Sequence, residues 1–322
     1  MKILVTGCCG FIGFHLCKRL LENNKNMVFG IDIINDYYDV KLKKDRLNIL
    51  KKNKKFFKFF KIDITNKNKI ENNFTKNNYD YVIHLAAQAG VRYSLKNPRS
   101  YLDNNINGFF NILETSKNNK VKHLIYASTS SVYGNNSKFP LKEKFSTDKP
   151  LTFYAASKKC NEIMAYSYSN LYKLKTTGLR FFTVYGSYGR PDMALSKFVN
   201  SIINSKKLEL YNRGNHYRDF TYVDDVTKSI IKLIKKGPKE KIPFQIFNIG
   251  NGKPNYLKDF LIKIENELKI KARVKNLRFQ KGDVYKTHAD TKKLSRAINF
   301  RPSTSIQQGI EKFIRWYKEY YK

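Results

Sequence analysis

The N-terminal segment constrains the fold more than any other part of this 322-residue chain. An apolar run, Ile3 to Val5, fits a buried parallel strand and leads directly into glycines at positions 7, 10 and 13. The helical pattern of Phe11 to Leu21 begins inside this loop. Closely spaced glycines suit a tight strand-to-helix turn at which the backbone approaches a pyrophosphate, whose charge the helix N-terminus stabilises. The segment therefore predicts a dinucleotide-binding βα unit.

A second predicted strand ends in an acid. Val28 to Asp32 places this carboxylate nineteen residues after Gly13. At the end of the second strand of such a unit, a carboxylate accepts hydrogen bonds from the adenosine ribose and repels a 2′-phosphate. The simpler alternative is a polar residue that terminates a strand. With the glycine loop present the ribose interpretation is favoured, so NAD is the predicted cofactor rather than NADP.

A tyrosine and a lysine four residues apart form the second chemical motif. Tyr154 and Lys158 lie in a segment with a helical pattern, 154–171, so they would share one helix face about 6 Å apart. A phenol is a poor base at neutral pH, but a neighbouring positive charge favours the phenolate. A hydroxyl cluster, Ser128 to Ser131, precedes the pair. In isolation such a pair is typical of a solvated helix face. Together with the glycine loop, it predicts that Tyr154 acts as a general acid and base and that Lys158 lowers its pKa.

Strand and helix patterns alternate as far as about residue 180, which indicates a doubly wound parallel sheet with right-handed crossovers. The predicted fold class is therefore α/β, of the Rossmann type. Residues 1–180 are expected to form the dinucleotide-binding domain with the Tyr/Lys pair. Residues 181–322 are expected to form mainly a smaller α/β lobe, with some segments returning to the first domain. This lobe would close on a substrate at the carboxyl ends of the strands.

The element bounds follow from the same patterns. Further strands are predicted at 56–62, 81–85, 123–127, 176–182, 208–211, 220–223 and 245–249, and further helices at 98–117, 224–236, 256–268 and 305–321.

The formal net charge of +36 raises the question of nucleic-acid binding. The lysines are scattered with asparagines along the whole chain, as in 51–55 and 117–120. Such enrichment is what an A/T-biased coding sequence produces. A dedicated surface would instead concentrate charge on one patch, with arginine for bidentate phosphate contacts. We therefore expect no specific nucleic-acid partner, and a functional basic surface stays open as the alternative.

The cysteines and the hydropathy pattern bear on cofactors and location. The four cysteines, at 8, 9, 17 and 160, have the spacing of neither a zinc site nor a disulfide framework, so reduced thiols and no metal are expected. No apolar run reaches the length of about 18 residues that a membrane helix requires. A predicted strand begins at residue 2, where a signal peptide would otherwise lie. The expectation is a cytoplasmic protein without membrane contact.

Five further segments carry a resemblance to a known family: Asn35 to Val40, Leu85 to Ser94, Arg180 to Gly186, Gly189 to Ala194 and Arg218 to Val226. With the glycine loop and the Tyr/Lys pair, they make the chain similar to extended short-chain dehydrogenases/reductases of the nucleotide-sugar epimerase and dehydratase group. The resemblance runs from Lys2 to the C-terminus. The first, second and fourth segments resemble the UDP-glucuronate 4-epimerases in particular.

The resemblance implies NAD-dependent epimerisation of a UDP-sugar at C4, with UDP-glucuronate converted to UDP-galacturonate. Tyr154 would exchange the proton of the C4 hydroxyl, Lys158 would hold the nicotinamide ribose, and Thr129 would hydrogen-bond the same sugar oxygen. The residues implied to bind NAD are Gly7, Gly10, Phe11, Ile12, Gly13, Asp32, Asp63, Ile64, Leu85, Ala86, Ala87, Gln88, Tyr154 and Lys158.

A 4-keto glucuronate is prone to lose carbon dioxide, so an epimerase must hold its C6 carboxylate. The resemblance implies that Arg190 and Thr183 do this, and that Arg218 faces the UDP phosphates. A second arginine common in galactose epimerases is replaced by Gln280. The complete implied set of substrate-binding residues is Arg92, Ser130, Ser131, Thr183, Arg190 and Arg218.

Several alternatives stay open at this point. A UDP-glucose/UDP-galactose 4-epimerase needs the same core residues without a carboxylate site. The related 4,6-dehydratases usually carry Asp-Glu where this chain has Ser130-Ser131, and the decarboxylases a glutamate at the second position, which argues against both. A non-catalytic dinucleotide-binding or RNA-associated protein is the alternative of a different class, although such proteins commonly lack the tyrosine or lysine. The segments 98–117 and 154–171 resemble the helices through which the family dimerises, so a homodimer is expected.

Overall fold

The computed structural model describes all 322 residues. Its strands, in chain order, are β1 (Lys2–Thr6), β2 (Met27–Asp32), β3 (Phe57–Lys61), β4 (Tyr81–His84), β5 (His123–Thr129), β6 (Thr176–Phe181), β7 (Thr183–Tyr185), β8 (Leu208–Tyr211), β9 (Tyr217–Tyr222), β10 (Phe244–Ile249), β11 (Pro254–Tyr256) and β12 (Val274–Leu277). Its α-helices are α1 (Phe11–Leu21), α2 (Val40–Lys51), α3 (Lys67–Asn77), α4 (Tyr93–Lys96), α5 (Arg99–Tyr101), α6 (Gly108–Asn118), α7 (Phe153–Tyr172), α8 (Ala194–Ile203), α9 (Val223–Ile234), α10 (Leu257–Leu268), α11 (Lys292–Ile298) and α12 (Ile306–Tyr320).

Seven strands form one central sheet in the order β10-β6-β5-β4-β1-β2-β3, and every neighbouring pair is parallel. The strand order reverses between β1 and β4, where the chain has crossed from one side of the sheet to the other. A crevice opens at the carboxyl ends of the strands at such a reversal, which is where doubly wound proteins bind ligands. The sheet confirms the predicted α/β fold of the Rossmann type.

Both faces of the sheet are buried, as its parallel strands require. In β1, Ile3 and Val5 belong to the core beneath α1, α2 and α9, whereas Leu4 belongs to the core beneath α3, α6 and α7. The alternation follows from the two-residue period of a strand. An unbroken apolar run is therefore what a central strand between two helical layers needs.

The C-terminal part has a separate core. A three-stranded sheet, in the order β11-β9-β7, and the β8–β12 pair pack with α8, α10 and α12. Phe220 of β9 stacks on Phe260 of α10 with ring centroids 4.3 Å apart. The buried carboxylate of Asp219 accepts hydrogen bonds from the backbone amides of Asn251 (2.8 Å), Gly252 (3.0 Å) and Ala289 (2.9 Å). Asp219 thus joins two loops of this lobe to β9.

The predicted and observed elements differ in three places. The helix predicted at 98–117 is present at 99–118, but a π-helix at Leu102–Asn107 breaks its α-helical hydrogen-bonding pattern between α5 and α6. The predicted strand at 220–223 begins earlier, at Tyr217, and Val223 already belongs to α9. The short strands β7, β11 and β12 and the helices α8 and α11 had no predicted counterpart.

The chain after residue 180 contributes β10 to the edge of the central sheet, where it pairs with β6. The division of the protein into two domains near residue 180 stays a prediction. None of the helices combines the length and the apolar character needed to span a bilayer.

Candidate active site

The glycine loop follows β1 and leads into α1 with little space between backbones. Gly7 has φ of +72°, and its amide donates to the carbonyl oxygen of Ile31 (2.8 Å). A Cβ at Gly13 would lie 2.0 Å from the carbonyl oxygen of Gly7, and one at Gly7 would lie 2.7 Å from the backbone nitrogen of Ala86. Only glycine satisfies both positions. The loop therefore presents bare backbone next to the N-terminus of α1, which is the arrangement that a pyrophosphate requires.

Asp32 ends β2 beside this loop. Its carboxylate accepts hydrogen bonds from the amides of Cys9 (3.0 Å) and Ile34 (2.8 Å). Burial raises the pKa of Asp32, while these amides and the charges of Lys43 and Arg46 act in the opposite direction. The side chain braces the glycine loop and also lines the cavity described next.

Cys8, Cys9 and Asp32 offer ligand atoms within 4.8 Å of one another. Both thiols are fully buried, and burial raises the pKa of Cys8. A metal would need the thiolate forms, which this environment disfavours. The absence of a bound metal therefore stays the expectation for this loop.

One cavity of about 1000 Å³ runs along the carboxyl ends of the central strands and reaches into the C-terminal lobe. All the predicted site residues except Gly10 line it. Gly10 instead supports the turn, because its amide donates to the carbonyl oxygen of Gly7 (3.0 Å). The cavity therefore brings together residues that end or directly follow the first six central strands with residues of α7 and the C-terminal lobe. Their individual roles stay predictions.

The Tyr/Lys pair lies on α7 as expected. Thr152 caps this helix by accepting the amide of Ala155 (3.3 Å), which places Tyr154 in the first turn and Lys158 one turn later. Thr129 ends β5 at the same cavity, and its hydroxyl lies close enough to the Tyr154 phenol to act on the pKa of the tyrosine. The tyrosine is half-buried, whereas Lys158 is buried.

The pKa of Tyr154 is shifted upwards, whereas the sequence analysis predicted that Lys158 lowers it. Burial raises the pKa of Tyr154, and the Thr129 hydroxyl and the positive charge of Arg190 only partly oppose this effect. Burial also lowers the pKa of Lys158 from 10.5 to about 8. In the protein alone, Lys158 is not among the groups that lower the tyrosine pKa, and burial of the phenol determines the direction of the shift.

A buried ion pair lies next to the Tyr/Lys pair on α7. Glu162, one turn after Lys158 on α7, accepts two hydrogen bonds from Arg180 of β6, both 2.8 Å long. Each side chain is only 3% exposed. The hydroxyl of Ser128 on β5 donates to the same carboxylate (2.6 Å). The sequence analysis missed this network, although Glu162 stands at the helical spacing that continues Tyr154 and Lys158.

A second unpredicted network supports the cofactor side of α7. Asn105, in the π-helix, accepts the amide of Gln88 (2.8 Å) and donates to the carbonyl oxygen of Gln88 (3.0 Å) and to the hydroxyl of Ser157 (3.0 Å). Asn161 donates to the carbonyl oxygen of Asn105 (2.6 Å). The wider π turn lets the Asn105 side chain reach these partners, which accounts for the break in the predicted helix.

The hydroxyl cluster turns the chain into the cavity immediately after β5. The Thr129 hydroxyl accepts the amide of Ser131 (3.2 Å) and donates to the Ser131 hydroxyl (3.2 Å), so it caps a short 3₁₀-helix at Ser130–Tyr133. Ser130 and Ser131 line the cavity on the same side as Thr129. This turn provides several hydroxyl groups within a few residues of one another.

Arg190 lines the same cavity as Thr183, and it already has a carboxylate partner. Its Nε and Nη2 donate to the two carboxylate oxygens of Asp192, at 3.0 and 2.6 Å. The guanidinium also lies 5.6 Å from the ring centroid of Tyr37. Burial acts to lower the pKa of Arg190, but Asp192 more than compensates and the pKa is raised. The sequence analysis did not predict Asp192 as the partner of Arg190, because a spacing of two residues does not by itself indicate an ion pair.

The far end of the cavity is formed by the C-terminal lobe. Arg218 of β9 donates to Asp283 (2.6 Å), and the Arg92 guanidinium lies 4.5 Å from the ring centroid of Tyr211. Two buried polar atoms of this region, His216 Nε2 and Gln280 Oε1, have no hydrogen-bond partner. The region therefore contains two positively charged side chains and two polar atoms that are free to form hydrogen bonds. Both features suit a polar, anionic ligand. His216 was missed because an isolated histidine carries no motif.

Comparison with known proteins identifies the family. Residues 3–250 match the model of the NAD dependent epimerase/dehydratase family. The chain belongs to this family. Over the full length of both proteins, the family member described here is 49% identical to Protein CapI of Staphylococcus aureus. It is 42% identical to a probable UDP-glucuronate 4-epimerase of Rhizobium meliloti (strain 1021), covering 100% of this chain and 98% of the relative.

A solved structure shares the whole fold of this epimerase/dehydratase family member. It is a crystal structure of UDP-glucuronic acid 4-epimerase from Bacillus cereus in complex with UDP-glucuronic acid and NAD. The two chains have a TM-score of 0.93 and 34% sequence identity, with 100% of each chain covered. The similarity extends over the central sheet and the C-terminal lobe.

The buried ion pair generates a stability prediction. Glu162→Gln would leave the Arg180 guanidinium without a compensating charge, and removing one partner of a buried pair typically costs about 3–5 kcal/mol. We expect a loss of this size in the free energy of unfolding, measured by urea denaturation. The control is Glu71→Gln, since Glu71 pairs with Lys67 at 3.9 Å on the surface and should contribute about 0–1 kcal/mol. Equal losses in both variants would contradict the prediction.

The buried lysine generates a prediction with a defined pH dependence. Because the pKa of Lys158 falls from 10.5 in the unfolded chain to about 8, the unfolded chain binds more protons between these values. The free energy of unfolding should therefore rise as pH increases from about 8 to 10.5, and the full penalty for burying the ammonium is present at lower pH. Lys158→Met should stabilise the NAD-free protein by roughly 1–3 kcal/mol at pH 7 and by less at pH 10. Urea unfolding at both pH values tests this, and a variant that is destabilised at pH 7 would show that Lys158 has a stabilising role.

Proposed function

We propose that this protein is a UDP-glucuronate 4-epimerase, which interconverts UDP-glucuronate and UDP-galacturonate with bound NAD. The observation that carries the proposal is the position of Arg190 and Thr183 on the same cavity as Tyr154 and Thr129. A carboxylate-binding arginine thus faces the space in which the tyrosine would handle a sugar hydroxyl. The R. meliloti relative and the B. cereus structure, described by these names, support the same substrate.

The residues of the cofactor wall fit NAD. The bare backbone of the glycine loop suits the pyrophosphate, and the Asp32 carboxylate suits the adenosine ribose. Asp63 and Ile64 line the adenine side of the cavity, and residues 85–88 line the path towards the catalytic pair. When bound, NAD supplies a reversible hydride acceptor for C4 of the sugar.

Tyr154 is proposed to remove and return the proton of the C4 hydroxyl. The Thr129 hydroxyl holds the same oxygen, so the proton moves along a defined hydrogen bond. With a pKa of about 8, the Lys158 ammonium is roughly 90% protonated at pH 7, which keeps a positive charge next to the tyrosine. Since burial raises the tyrosine pKa in the protein alone, the phenolate becomes accessible only when charges in the assembled complex offset this burial.

Arg190 is proposed to hold the C6 carboxylate. Its guanidinium has the planar geometry for a bidentate contact, as the contact with Asp192 demonstrates. Thr183, Ser130 and Ser131 add hydroxyl donors around the same region. Together they would keep the C5–C6 bond out of alignment with the carbonyl at C4, which suppresses loss of carbon dioxide.

The diphosphate is proposed to bind at the far end of the cavity. Arg218 and Arg92 provide the positive charge there, and both line the cavity wall. Arg218 is held by Asp283 and by the carbonyl oxygens of Tyr217 (2.9 Å) and Tyr285 (3.2 Å), so its guanidinium is already oriented. An oriented arginine loses little conformational entropy on binding.

A homodimer is part of the proposal. Helices α6 and α7 pack together and carry exposed apolar side chains, among them Phe110, Ile163 and Leu171. Exposed apolar side chains on a pair of packed helices are consistent with an interface. Light scattering should give about twice the chain mass of 37.8 kDa, and the mass of a single chain would exclude the dimer.

The reaction is tested by incubating the purified protein with UDP-glucuronate, without added cofactor, and following the sugar protons by NMR. We expect UDP-galacturonate and no pentose nucleotide. Tyr154→Phe should abolish conversion while NAD remains bound, because it removes the proton carrier and leaves the cofactor loop intact. If UDP-glucuronate stays unchanged with NAD supplied, but UDP-glucose becomes UDP-galactose, the alternative epimerase activity is correct. Normal activity of Tyr154→Phe would exclude this tyrosine as the acid and base.

The carboxylate role is tested by Arg190→Ala. The variant should weaken binding of UDP-glucuronate by at least about tenfold and of UDP-glucose much less, since a charged hydrogen bond contributes about 1.5–3 kcal/mol. A pentose product should also appear as decarboxylation begins to compete. Calorimetric titration measures both affinities. Equal weakening for the two nucleotides would remove the carboxylate role from Arg190.

A further inference from the structure

A fully buried arginine outside the predicted site joins two loops of the cavity. Arg46 lies in α2. Its Nη1 donates to the carbonyl oxygen of Cys9 (2.8 Å) and the hydroxyl of Tyr38 (2.7 Å). Its Nη2 donates to the carbonyl oxygens of Tyr188 (2.7 Å) and Gly189 (3.5 Å). All four acceptors are neutral oxygens, so the group acts here through its shape and its donors rather than through an ion pair.

The two bridged loops carry the two halves of the chemistry. Cys9 lies inside the glycine loop that is proposed to hold the cofactor. Tyr188 and Gly189 immediately precede Arg190, which is proposed to hold the sugar carboxylate. Because the guanidinium is planar and rigid, its two nitrogens fix the separation of these loops. A lysine cannot do this, since its ammonium is a single point of charge on a flexible stem.

Neighbouring side chains make the bridge rigid. The Lys43 ammonium lies 4.1 Å from the centroid of the Tyr38 ring and donates to the carbonyl oxygen of Asn35 (2.6 Å). Tyr188 packs between Phe14 (5.0 Å between centroids) and Trp316 (4.9 Å). The segment Asn35 to Val40, which resembles the UDP-glucuronate 4-epimerases, therefore contributes Asn35 and Tyr38 to the surroundings of Arg46.

The adjacent tyrosines of that segment contact the two arginines separately. The Tyr38 hydroxyl accepts a hydrogen bond from Arg46, whereas the Tyr37 ring lies beneath the guanidinium of Arg190. Any displacement of Arg46 is therefore transmitted to Arg190 by two routes: through the backbone of residues 188–189 and through the Tyr37–Tyr38 pair.

We propose that Arg46 is a positioning residue that sets the distance between the cofactor loop and Arg190, and thereby the selectivity for a sugar that carries a carboxylate. The proposal rests on the proposed function. If the distance between the cofactor loop and Arg190 is no longer fixed, the C5–C6 bond of the 4-keto sugar can align with the carbonyl group at C4. That bond then breaks, C6 leaves as carbon dioxide, and the electron pair left at C5 forms an enolate that takes up a proton there.

The test uses Arg46→Lys in the full-length protein with NAD present. Affinities for UDP-glucuronate and UDP-glucose are measured by calorimetry in the Tyr154→Phe background, so that neither nucleotide is converted during the titration. We expect at least about a tenfold loss for UDP-glucuronate and less than about a twofold change for UDP-glucose. With Tyr154 intact, NMR should show a pentose nucleotide among the products of Arg46→Lys and none from the wild type.

The matched control is Arg19→Lys. Arg19 is a half-buried arginine of α1 that also donates to a carbonyl oxygen, that of Asp224 (2.8 Å), but it lies outside the cavity. Neither its affinities nor its products should change. Tyr38→Phe, which removes one acceptor of Arg46, should shift the affinity ratio in the same direction by about two- to threefold, and it provides the test if Arg46→Lys does not fold.

The outcomes separate this proposal from the function on which it rests. Equal losses for both nucleotides, or an unchanged affinity ratio with no pentose product, would overturn the role of Arg46. A wild-type protein that binds UDP-glucuronate without converting it would instead overturn the proposed function, and the affinity comparison would still test Arg46.

Discussion

The ion pair between Glu162 and Arg180 is the contact on which the site depends. It joins α7 to β6, and through Ser128 it also joins both to β5. Tyr154 and Lys158 reach the cavity from α7, whereas Thr129 reaches it from β5. The relative position of the three groups is therefore set by one carboxylate buried between their supports. A buried pair adds little net stability compared with apolar packing, but it tolerates only one geometry, and this suits a site that must hold a proton path.

The chain's periodicity was enough to predict the sheet, because strands buried on both faces are continuous apolar runs and the glycine loop has few alternative structures. The Tyr/Lys pair was predictable because both residues lie on one helix. Glu162 and Arg46 were not, since their partners lie at unrelated positions in the sequence. The direction of the Tyr154 pKa also required the structure, because spacing gives the distance to Lys158 but not the burial that opposes ionisation. The break at Leu102–Asn107 depends on contacts of Asn105 that no local pattern encodes.

Positively charged side chains lie in the cavity wall or directly behind it, and their surroundings differ. Lys158 is buried without a carboxylate partner, Arg46 is surrounded by neutral oxygens, and Arg218 and Arg190 are each held by an aspartate. These groups are built into secondary structure and differ from the many surface lysines that give the chain its net charge. An anionic nucleotide entering the cavity would meet donors whose positions are already fixed, so little reorganisation is needed on binding.

The pairing of Arg190 with Asp192 changes how a substrate acid is recognised. In the free protein the Arg190 guanidinium already has an internal partner, because Asp192 accepts hydrogen bonds from its Nε and Nη2. If Arg190 binds a sugar acid as proposed, Asp192 either yields Nε and Nη2 to that acid or shares the guanidinium with it through the remaining N–H groups. A neutral sugar can leave the internal pair intact and avoids stranding a buried charge. Discrimination between the two then depends on how well each fits the fixed surroundings, and Asp192 is an internal competitor for Nε and Nη2 of Arg190.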